Sequence, residues 1–194
     1  LFLLPALGQA QLVTKQGKIT LLSGEVKYGY ILMNESDSIY QRCMFKTKYN
    51  DKSITYRPGE IAEYEINDGK RFRSVIINTQ IFAEVLADGD VSLFYFKKNR
   101  NEHHYVYSNE FGFQELKFSK KILDYKDSLI IKERAEKPGM YNTVFYEYKT
   151  NEYRQTLKKY LNRKTELYKL IDWLEEPTTD AYIKIVNKYN LLVS

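Results

Sequence analysis

The sequence predicts an α+β protein: mainly antiparallel β structure, as a sandwich or a barrel-like sheet, followed by a small C-terminal cluster of about three helices. From Gly17 to about Phe118, short runs rich in β-branched and aromatic residues alternate with turn signals roughly every ten residues. Beyond Met140, apolar residues recur three and four positions apart, which is the spacing of amphipathic helices. Two successive kinds of periodicity therefore indicate strands first and helices last.

Ten segments have the composition of strands. They are Gly17–Leu22, Glu25–Met33, Ser38–Lys48, Lys52–Tyr56, Glu60–Ile66, Lys70–Ile77, Ile81–Ala87, Asp90–Lys98, His103–Ser108 and Gly112–Phe118. Turn pairs such as Pro58-Gly59 and Asp88-Gly89 separate them, because Pro presets φ and Gly accepts positive φ. Asp90–Lys98 is apolar on both alternating faces, which predicts a central strand covered on both sides. The segment from Ser119 to Met140 is ambiguous and is consistent with one or two further strands.

Three helical stripes follow in the C-terminal part of the chain. They consist of Leu157, Tyr160 and Leu161, then Leu167, Leu170, Ile171 and Leu174, then Tyr182, Ile185, Val186 and Tyr189. Asn151 is the expected cap of the first helix, Thr165 of the second, and Thr178 or Thr179 of the third, with Pro177 ending the second helix. Helices this short need a packing surface, so we expect them to lie on the sheet or on one another.

The first ten residues predict export. Leu1 to Leu7 form an uncharged apolar run that is too short for a membrane span of about 20 residues. Gly8, Gln9 and Ala10 then resemble a signal-peptidase site, so we interpret 1–10 as the remnant of a signal peptide. The alternative is a buried N-terminal strand. The predicted organisation is therefore signal remnant 1–10, β-rich domain 11–140 and helical segment 141–194, in an exported protein that is periplasmic or associated with the cell surface or outer membrane.

The chain has a formal net charge of +5, but its basic residues are spread out. Residues 11–140 have an excess of three positive charges and residues 141–194 an excess of two. The densest basic groups are flanked by acids, whereas a surface that tracks phosphates needs concentrated Lys and Arg. They are Lys70, Arg71 and Arg73, and Lys117, Lys120 and Lys121. We therefore expect solvated faces and no nucleic-acid partner.

Few residues suggest catalysis. His103 and His104 are the only histidines, and adjacent residues on a strand point to opposite faces, so the pair does not readily share a metal. The lone Cys43 predicts a buried thiol in a strand. Glu60, Glu63, Glu65 and Glu84 fall on predicted strands and are expected to face solvent. No nucleophile elbow, phosphate loop or dinucleotide fingerprint is present, so we predict no enzyme, no cofactor, and no catalytic, cofactor-binding or metal-ligating residues.

The unusual feature of the composition is 18 tyrosines with 10 phenylalanines. Tyrosine joins an apolar ring to a polar tip, which suits half-buried sheets, protein interfaces and stacking on sugar rings. The simpler interpretation is that most of them complete the core. Tyr105 with Tyr107, and Tyr28 with Tyr30, are the candidates for a contact surface, because each pair shares a strand face.

Three short motifs and the tail are similar to a known family. They are Gly29-Tyr30-Ile31, then Tyr56-x-Pro58-Gly59-Glu60-Ile61, then Phe82-x-Glu84-Val85-Leu86 with Gly89 and Leu93, and finally Tyr189-Asn190 at the end of the last helix. On these residues the chain resembles a family of uncharacterised exported proteins of the Bacteroidota cell envelope. The resemblance implies an envelope location and a β-rich module with a helical end, and it brings no enzymatic activity. Where relatives have an acid, a Cys and a Pro between the first two tail helices, this chain has Asn162, Arg163 and Lys164, which puts in doubt any function that depends on that Cys.

The function expected from these observations is that of a non-catalytic cell-envelope module that binds a protein partner, as an accessory subunit of an outer-membrane or surface complex. The alternative is a glycan- or peptidoglycan-binding module. A hydrolase is a further alternative that requires a cleft where two acids, or one histidine and an acid, converge.

Overall fold

The computed structural model of the chain describes residues 13–33, 37–118, 120–123, 146–149, 151–175 and 177–194. It is mainly one antiparallel sheet with three C-terminal α-helices, which confirms the predicted α+β class. The predicted signal remnant, the boundary near Met140 and most of the ambiguous segment lie outside the described residues.

Ten strands form the main sheet. They are β1 Val13–Leu21, β2 Val26–Met33, β3 Cys43–Lys46, β4 Ile54–Tyr56, β5 Ile61–Ile66, β6 Arg71–Ile77, β7 Thr79–Ala87, β8 Ser92–Lys98, β9 Asn101–Ser108 and β10 Gly112–Glu115. The order across the sheet is β10-β9-β8-β7-β6-β5-β1-β2-β3-β4, and every pairing between neighbouring strands is antiparallel. Strands β5 to β10 are a meander, while β5 also pairs with β1 after the chain has passed through β2, β3 and β4.

The return from β4 to β5 uses the turn that contains Pro58 and Gly59. Gly59 has φ +90°, and its N–H donates to the Ser74 hydroxyl of β6 over 2.7 Å. The Arg57 N–H donates to the Glu60 carboxylate over 2.6 Å. The Glu60 side chain therefore closes the turn, and the bond to Ser74 attaches it to the sheet. Glycine is needed at position 59 because only glycine adopts this φ without strain.

One predicted strand is partly wrong. The strand expected over Ser38–Lys48 exists only at Cys43–Lys46, and Asp37–Tyr40 is a 3-10 turn that contacts β7 and β8. The Tyr64 hydroxyl donates to the Ile39 carbonyl over 2.6 Å, and the Tyr40 ring lies 6.1 Å from the Phe72 ring. These contacts with distant strands override the local preference for extended backbone.

The rest of the chain adds a small sheet and the helical tail. Strand β11, Lys120–Leu123, pairs with β12, Tyr146–Lys149. The helices are α1 Glu152–Tyr160, α2 Tyr168–Asp172 and α3 Thr179–Val193, with a 3-10 turn at Thr165–Leu167. No helix among the described residues is long and apolar enough to cross a membrane.

The predicted caps have different outcomes. The Thr178 hydroxyl accepts a hydrogen bond from the Ala181 N–H over 3.2 Å, so the cap of α3 is confirmed. Asn151 occupies the cap position of α1 without a side-chain hydrogen bond. The expectation for Thr165 is wrong, because that residue lies inside the 3-10 turn and Lys164 precedes it.

The core has two clusters that meet at β8. The first includes Ile19, Ile31, Phe45, Tyr64, Phe72, Phe82, Phe94 and Phe96 on the strands. The second joins Leu93, Val106 and Leu116 to buried residues of the helical tail, among them Tyr153, Leu157, Tyr160, Ile171, Tyr182 and Val186. Strand β8 thus contributes residues to both clusters, which confirms a central strand covered on both sides.

Cys43 is buried in the first cluster, as predicted. The residue is 1% exposed, and burial raises the pKa of its thiol to about 12. The thiol is therefore a packing group at neutral pH, because the thiolate is the nucleophilic form.

Candidate functional site

A polar groove lies beside the first residues of β9, which extend past the last residue of the neighbouring antiparallel strand β10. Strand β10 pairs with Tyr105–Ser108 and the Leu116 N–H still reaches the His104 carbonyl, so residues 101–103 of β9 extend beyond β10. Three cavities of 640, 430 and 470 Å³ adjoin this place and share lining residues. Tyr105 belongs to the first two, His103 to the last two, and Glu115 to the first and third.

His103 lies at the middle of the groove. Its Nδ1 is 2.8 Å from Glu115 Oε1, and its ring stacks on Phe96 with 5.1 Å between centroids. Both partners of the pair are 28% exposed at the side chain, so water reaches them. The hydrolase alternative requires a histidine and an acid in contact beside a cavity, and His103 and Glu115 are such a pair.

His104 makes a different set of contacts, as the alternation along β9 predicts. Its Nε2 is 2.9 Å from the Thr179 hydroxyl at the start of α3, and its ring lies 5.4 Å from the Tyr182 ring. Burial lowers the pKa of His104, while the negative charge of Glu102 opposes this effect. His104 therefore connects the sheet to the helical tail as a neutral imidazole near pH 7.

The two histidines do not complete a nucleophilic or metal site in the described part of the chain. The Thr179 hydroxyl and His104 have the spacing of a nucleophile and its base, but no described carboxylate bonds the other ring nitrogen to orient it. Among the described residues, no group of three or more His, Cys, Asp or Glu side chains could hold a metal ion.

Tyr182 is among the residues that line the 470 Å³ cavity, and it is almost completely buried. The residue is 2% exposed, and its hydroxyl is the buried side-chain polar atom that has no hydrogen-bond partner among the described residues. Neighbouring tyrosines are satisfied: the Tyr153 hydroxyl donates to the Leu174 carbonyl, and the Tyr160 hydroxyl lies 3.0 Å from the Gly112 carbonyl. The helical stripe predicts that Tyr182 lies on the packed face of α3, and its place in the second core cluster confirms this.

A second candidate surface lies on β2, far along the sheet from the groove. We call Val26, Tyr28, Tyr30 and Tyr49 the tyrosine patch. Val26, Tyr28 and Tyr30 alternate along one face of the strand; Tyr28 is 73% exposed and Tyr49 is 61% exposed. The Tyr49 ring meets the Tyr30 ring edge-on at 5.6 Å, and Lys46 Nζ lies 6.0 Å from the Tyr49 ring.

The other candidate tyrosines are less accessible. Tyr105 is 9% exposed and belongs to the first core cluster, with its ring stacked 5.6 Å from the Phe96 ring. Tyr107 is half-buried, and its hydroxyl donates to Asn109 Oδ1 over 3.1 Å. Of the two predicted pairs, the pair on β2 is thus the one that presents large aromatic area to solvent.

The basic residues of β6 are neutralised by acids. Arg73 makes a two-point contact with Asp88, at 2.8 and 3.2 Å, and also reaches Glu63 at 3.3 Å. Arg71 reaches the same Asp88 at 2.7 Å. These arginines hold the pKa of Asp88 at about 2. The side chains of Lys120 and Lys121 are outside the described residues.

Two of the four acids that were expected to lie on strands and face solvent differ from that expectation. Glu84 is only 12% exposed at its side chain, and burial raises its pKa although Lys70 lies 3.6 Å away. Glu60 lies in the turn before β5 and not on a strand. Glu63 and Glu65 are on β5 and pair with Arg73 and Lys18, as is ordinary for residues on a partly wetted face.

The geometry defines a class of protein, a β-rich module with a helical tail, a polar groove and an exposed aromatic patch. No protein-family model, curated protein or solved structure matches the chain. The resemblance to exported envelope proteins of the Bacteroidota stays a prediction.

Proposed function

We propose that the protein is a non-catalytic module of the cell envelope that binds another protein, as an accessory subunit of an outer-membrane or surface complex. The observation that supports this proposal is the tyrosine patch. Tyr28 is 73% exposed on a sheet face, although aromatic side chains are the residues that a chain gains most by burying. Tyrosines at such places are typical anchors of protein interfaces.

The charges around the patch support one kind of protein partner. Lys46 Nζ lies beside Tyr49 and has no carboxylate partner among the described residues, while Lys18, opposite Tyr28 in register, pairs with Glu65 at 3.0 Å. An apolar protein surface with carboxylates at its edge complements this arrangement, because the carboxylates would reach Lys46 while the apolar part covers the rings.

The test places a photo-crosslinking amino acid at Tyr28 in the intact protein of its native host. Trp173 is the matched control position, because it is an equally exposed aromatic at 77% on the helical tail. We expect one envelope protein to crosslink through position 28 and not through position 173. Purified partner should then bind Tyr28→Ser at least about tenfold more weakly than Trp173→Ser, as for loss of a hot-spot aromatic. Equal crosslinking from both positions would contradict the proposal.

Glycan binding is the second candidate, and the 640 Å³ part of the groove favours it. Its walls combine amides, acids and rings: Asn78, Gln114, Gln155, Glu115, Glu152, Tyr105 and Phe113. Such polar groups beside an aromatic wall suit sugar hydroxyls and ring faces. Sedimentation with purified peptidoglycan separates the two candidates, because Gln155→Ala should release the protein from the polymer whereas Tyr28→Ser should not. A protein that never sediments with the polymer is not a glycan binder of this kind.

A further inference from the structure

The edge of β2 is open over its first residues. Strand β1 pairs with β2 along its whole length, whereas β3 pairs only with residues 30–32 of β2 and ends at Lys46. Residues 26–28 are all exposed, while residues 30–32 beside β3 are buried or half-buried. Among the described residues, the side of β2 that faces β3 therefore has no neighbouring strand at positions 26–28.

The pairing pattern shows which backbone groups face this open edge. In antiparallel pairing, hydrogen-bonded and non-hydrogen-bonded residue pairs alternate, so successive residues of a strand direct their backbone groups to opposite neighbours. The Gln16 carbonyl of β1 accepts from the Asn67 N–H on the β5 side over 3.0 Å, so the odd-numbered residues of β1 bond to β2. Their partners in β2 are odd-numbered as well. The N–H and C=O groups of Val26 and Tyr28 therefore point to the open edge, and no described residue bonds to them.

The other edges of the main sheet are protected. Strand β4 has only the three residues Ile54–Tyr56, and Pro58 follows two positions later; short strands and prolines commonly block an edge. Strand β10 is packed against α1, where Gln114 Nε2 donates to the Thr156 hydroxyl over 3.2 Å. The open part of β2 has neither protection, and it lies beside the exposed rings of the tyrosine patch.

The surroundings of the open edge have an excess of positive charge. Lys27 pairs with Glu25 at 3.7 Å, and Asp51 accepts from the Lys48 N–H over 2.9 Å. The ammonium groups of Lys46 and Lys48 have no carboxylate partner among the described residues, although Lys46 Nζ donates to the neighbouring backbone. A second copy of the chain would bring these lysines together, whereas a segment that carries carboxylates would pair with them.

We propose that the partner adds an extended segment to the open edge of β2 as a further strand, an inference that rests on the proposed protein-binding function. The backbone of the segment pairs with the free groups of Val26 and Tyr28. Its apolar side chains, at alternate positions, cover the tyrosine patch, and a carboxylate at one end pairs with Lys46. In this mode of recognition the main-chain hydrogen bonds give affinity, and the alternate side chains give specificity.

Three end-capped peptides test this mode of binding on the intact protein. The probe is acetyl-Glu-Val-Thr-Val-Thr-Glu-amide. One control has proline in place of both threonines, and the other has lysine in place of both glutamates. In NMR titrations the probe should bind about tenfold more tightly than either control, as for the loss of two hydrogen bonds or charge pairs.

Amide hydrogen exchange locates the bound peptide. In the free protein the Val26 and Tyr28 amides should exchange rapidly, because they face solvent, while the Lys27 and Gly29 amides are protected by β1. The probe should slow the exchange of Val26 and Tyr28. It should leave the exchange of Lys27 and Gly29 unchanged.

Two variants at one position separate the backbone from the ring. Tyr28→Thr removes the ring and keeps the N–H, whereas Tyr28→Pro removes both. The two should have similar midpoints in urea, because proline is tolerated where its missing N–H would face solvent. Lys27→Pro is the matched control and should lower the midpoint, because that N–H bonds to β1. The probe should bind Tyr28→Pro about fivefold more weakly than Tyr28→Thr, as for the loss of one hydrogen bond.

Several results would overturn strand addition. Equal binding of the probe and its proline control is one, and a midpoint of Tyr28→Pro as low as that of Lys27→Pro is another. Slow exchange of the Val26 and Tyr28 amides in the free protein at every concentration would show that the edge is already covered. Slow exchange at high protein concentration alone would show that a second copy fills it.

The results also separate this inference from the proposed function. If a partner crosslinks through position 28 but does not slow the exchange of the Val26 and Tyr28 amides, the protein-binding function stands and strand addition is wrong. If the probe binds and slows these amides but no envelope protein crosslinks, the edge accepts a strand and the proposed function fails.

Discussion

The side chain of Asn190 joins the last helix to the beginning of β8, and this contact gives a quantitative prediction. Its Oδ1 accepts from the Val91 N–H over 3.1 Å, and its Nδ2 donates to the Val91 carbonyl over 2.8 Å, as a neighbouring strand would do. The two residues are 99 positions apart in the chain. The approach is close, because a Cβ on Gly89 would lie 2.6 Å from the Asn190 side chain.

We expect Asn190→Ala to lower the free energy of unfolding by about 1–2 kcal/mol. Each hydrogen bond contributes about 0.5–1.5 kcal/mol net, so the pair contributes about 1–3 kcal/mol. The higher helix propensity of alanine offsets about 0.5 kcal/mol of this loss in stability. The half-buried position of Asn190 lets some water reach the freed Val91 groups, which places the net loss in the lower part of the range.

Asn187→Ala is the matched control, because Asn187 is exposed on the same helix. Urea denaturation followed by circular dichroism should give Asn187→Ala a stability equal to or slightly above that of the unaltered protein. Asn190→Ala should have a lower midpoint with the same slope, and the Val91 amide should exchange faster. If the two variants have the same midpoint, the Asn190–Val91 contact does not stabilise the attachment of the tail.

Two further predictions concern acid stability and strand packing. Burial lowers the pKa of His104 in the folded state. Its contribution to stability is therefore complete above the unfolded pKa near 6.5 and is lost as the pH falls through the folded pKa. In His104→Gln, the unfolding midpoint should depend less on pH across this interval. Gly29→Ala should destabilise the protein by about 1–3 kcal/mol in urea, because the added Cβ would overlap the Lys46 carbonyl and lie 2.6 Å from the Phe45 ring. An unchanged midpoint in Gly29→Ala would mean that β2 and β3 separate at little cost.

Much of the sheet could be predicted because its information is local. Strand alternation and turn residues are read over a few positions, and each of the ten predicted segments overlaps one strand, although β1, β7 and β9 begin two to four positions earlier than predicted. The strand predicted over Ser38–Lys48 is wrong at Ser38–Tyr40, because the conformation there depends on Tyr64 and Phe72, which are 24 or more positions away. Thr178 was among the two predicted caps of α3 because a cap depends on residues three positions apart.

The candidate sites were harder to predict, for a physical reason. The 470 Å³ cavity lies beside Glu115, where β10 stops, and beside His104, which contacts the first turn of α3, and neither fact is visible in the spacing of residues. Tyr28 and Tyr105 have the same pattern in the sequence, two aromatics that alternate on a strand. Their exposures are 73% and 9%, because only Tyr105 lies over the first core cluster.

The motifs that suggested a family have structural roles, and this determines where function should be sought. Gly29 lets β2 approach β3, Gly59 adopts the positive φ of its turn, and Phe82 is fully buried. A chain must keep such residues to fold, whatever it binds. Tyr28 differs from them, because folding alone does not reward an aromatic ring in water. Substituting Tyr28 should therefore change binding at little cost in stability, whereas substituting the motif residues would mainly report on folding.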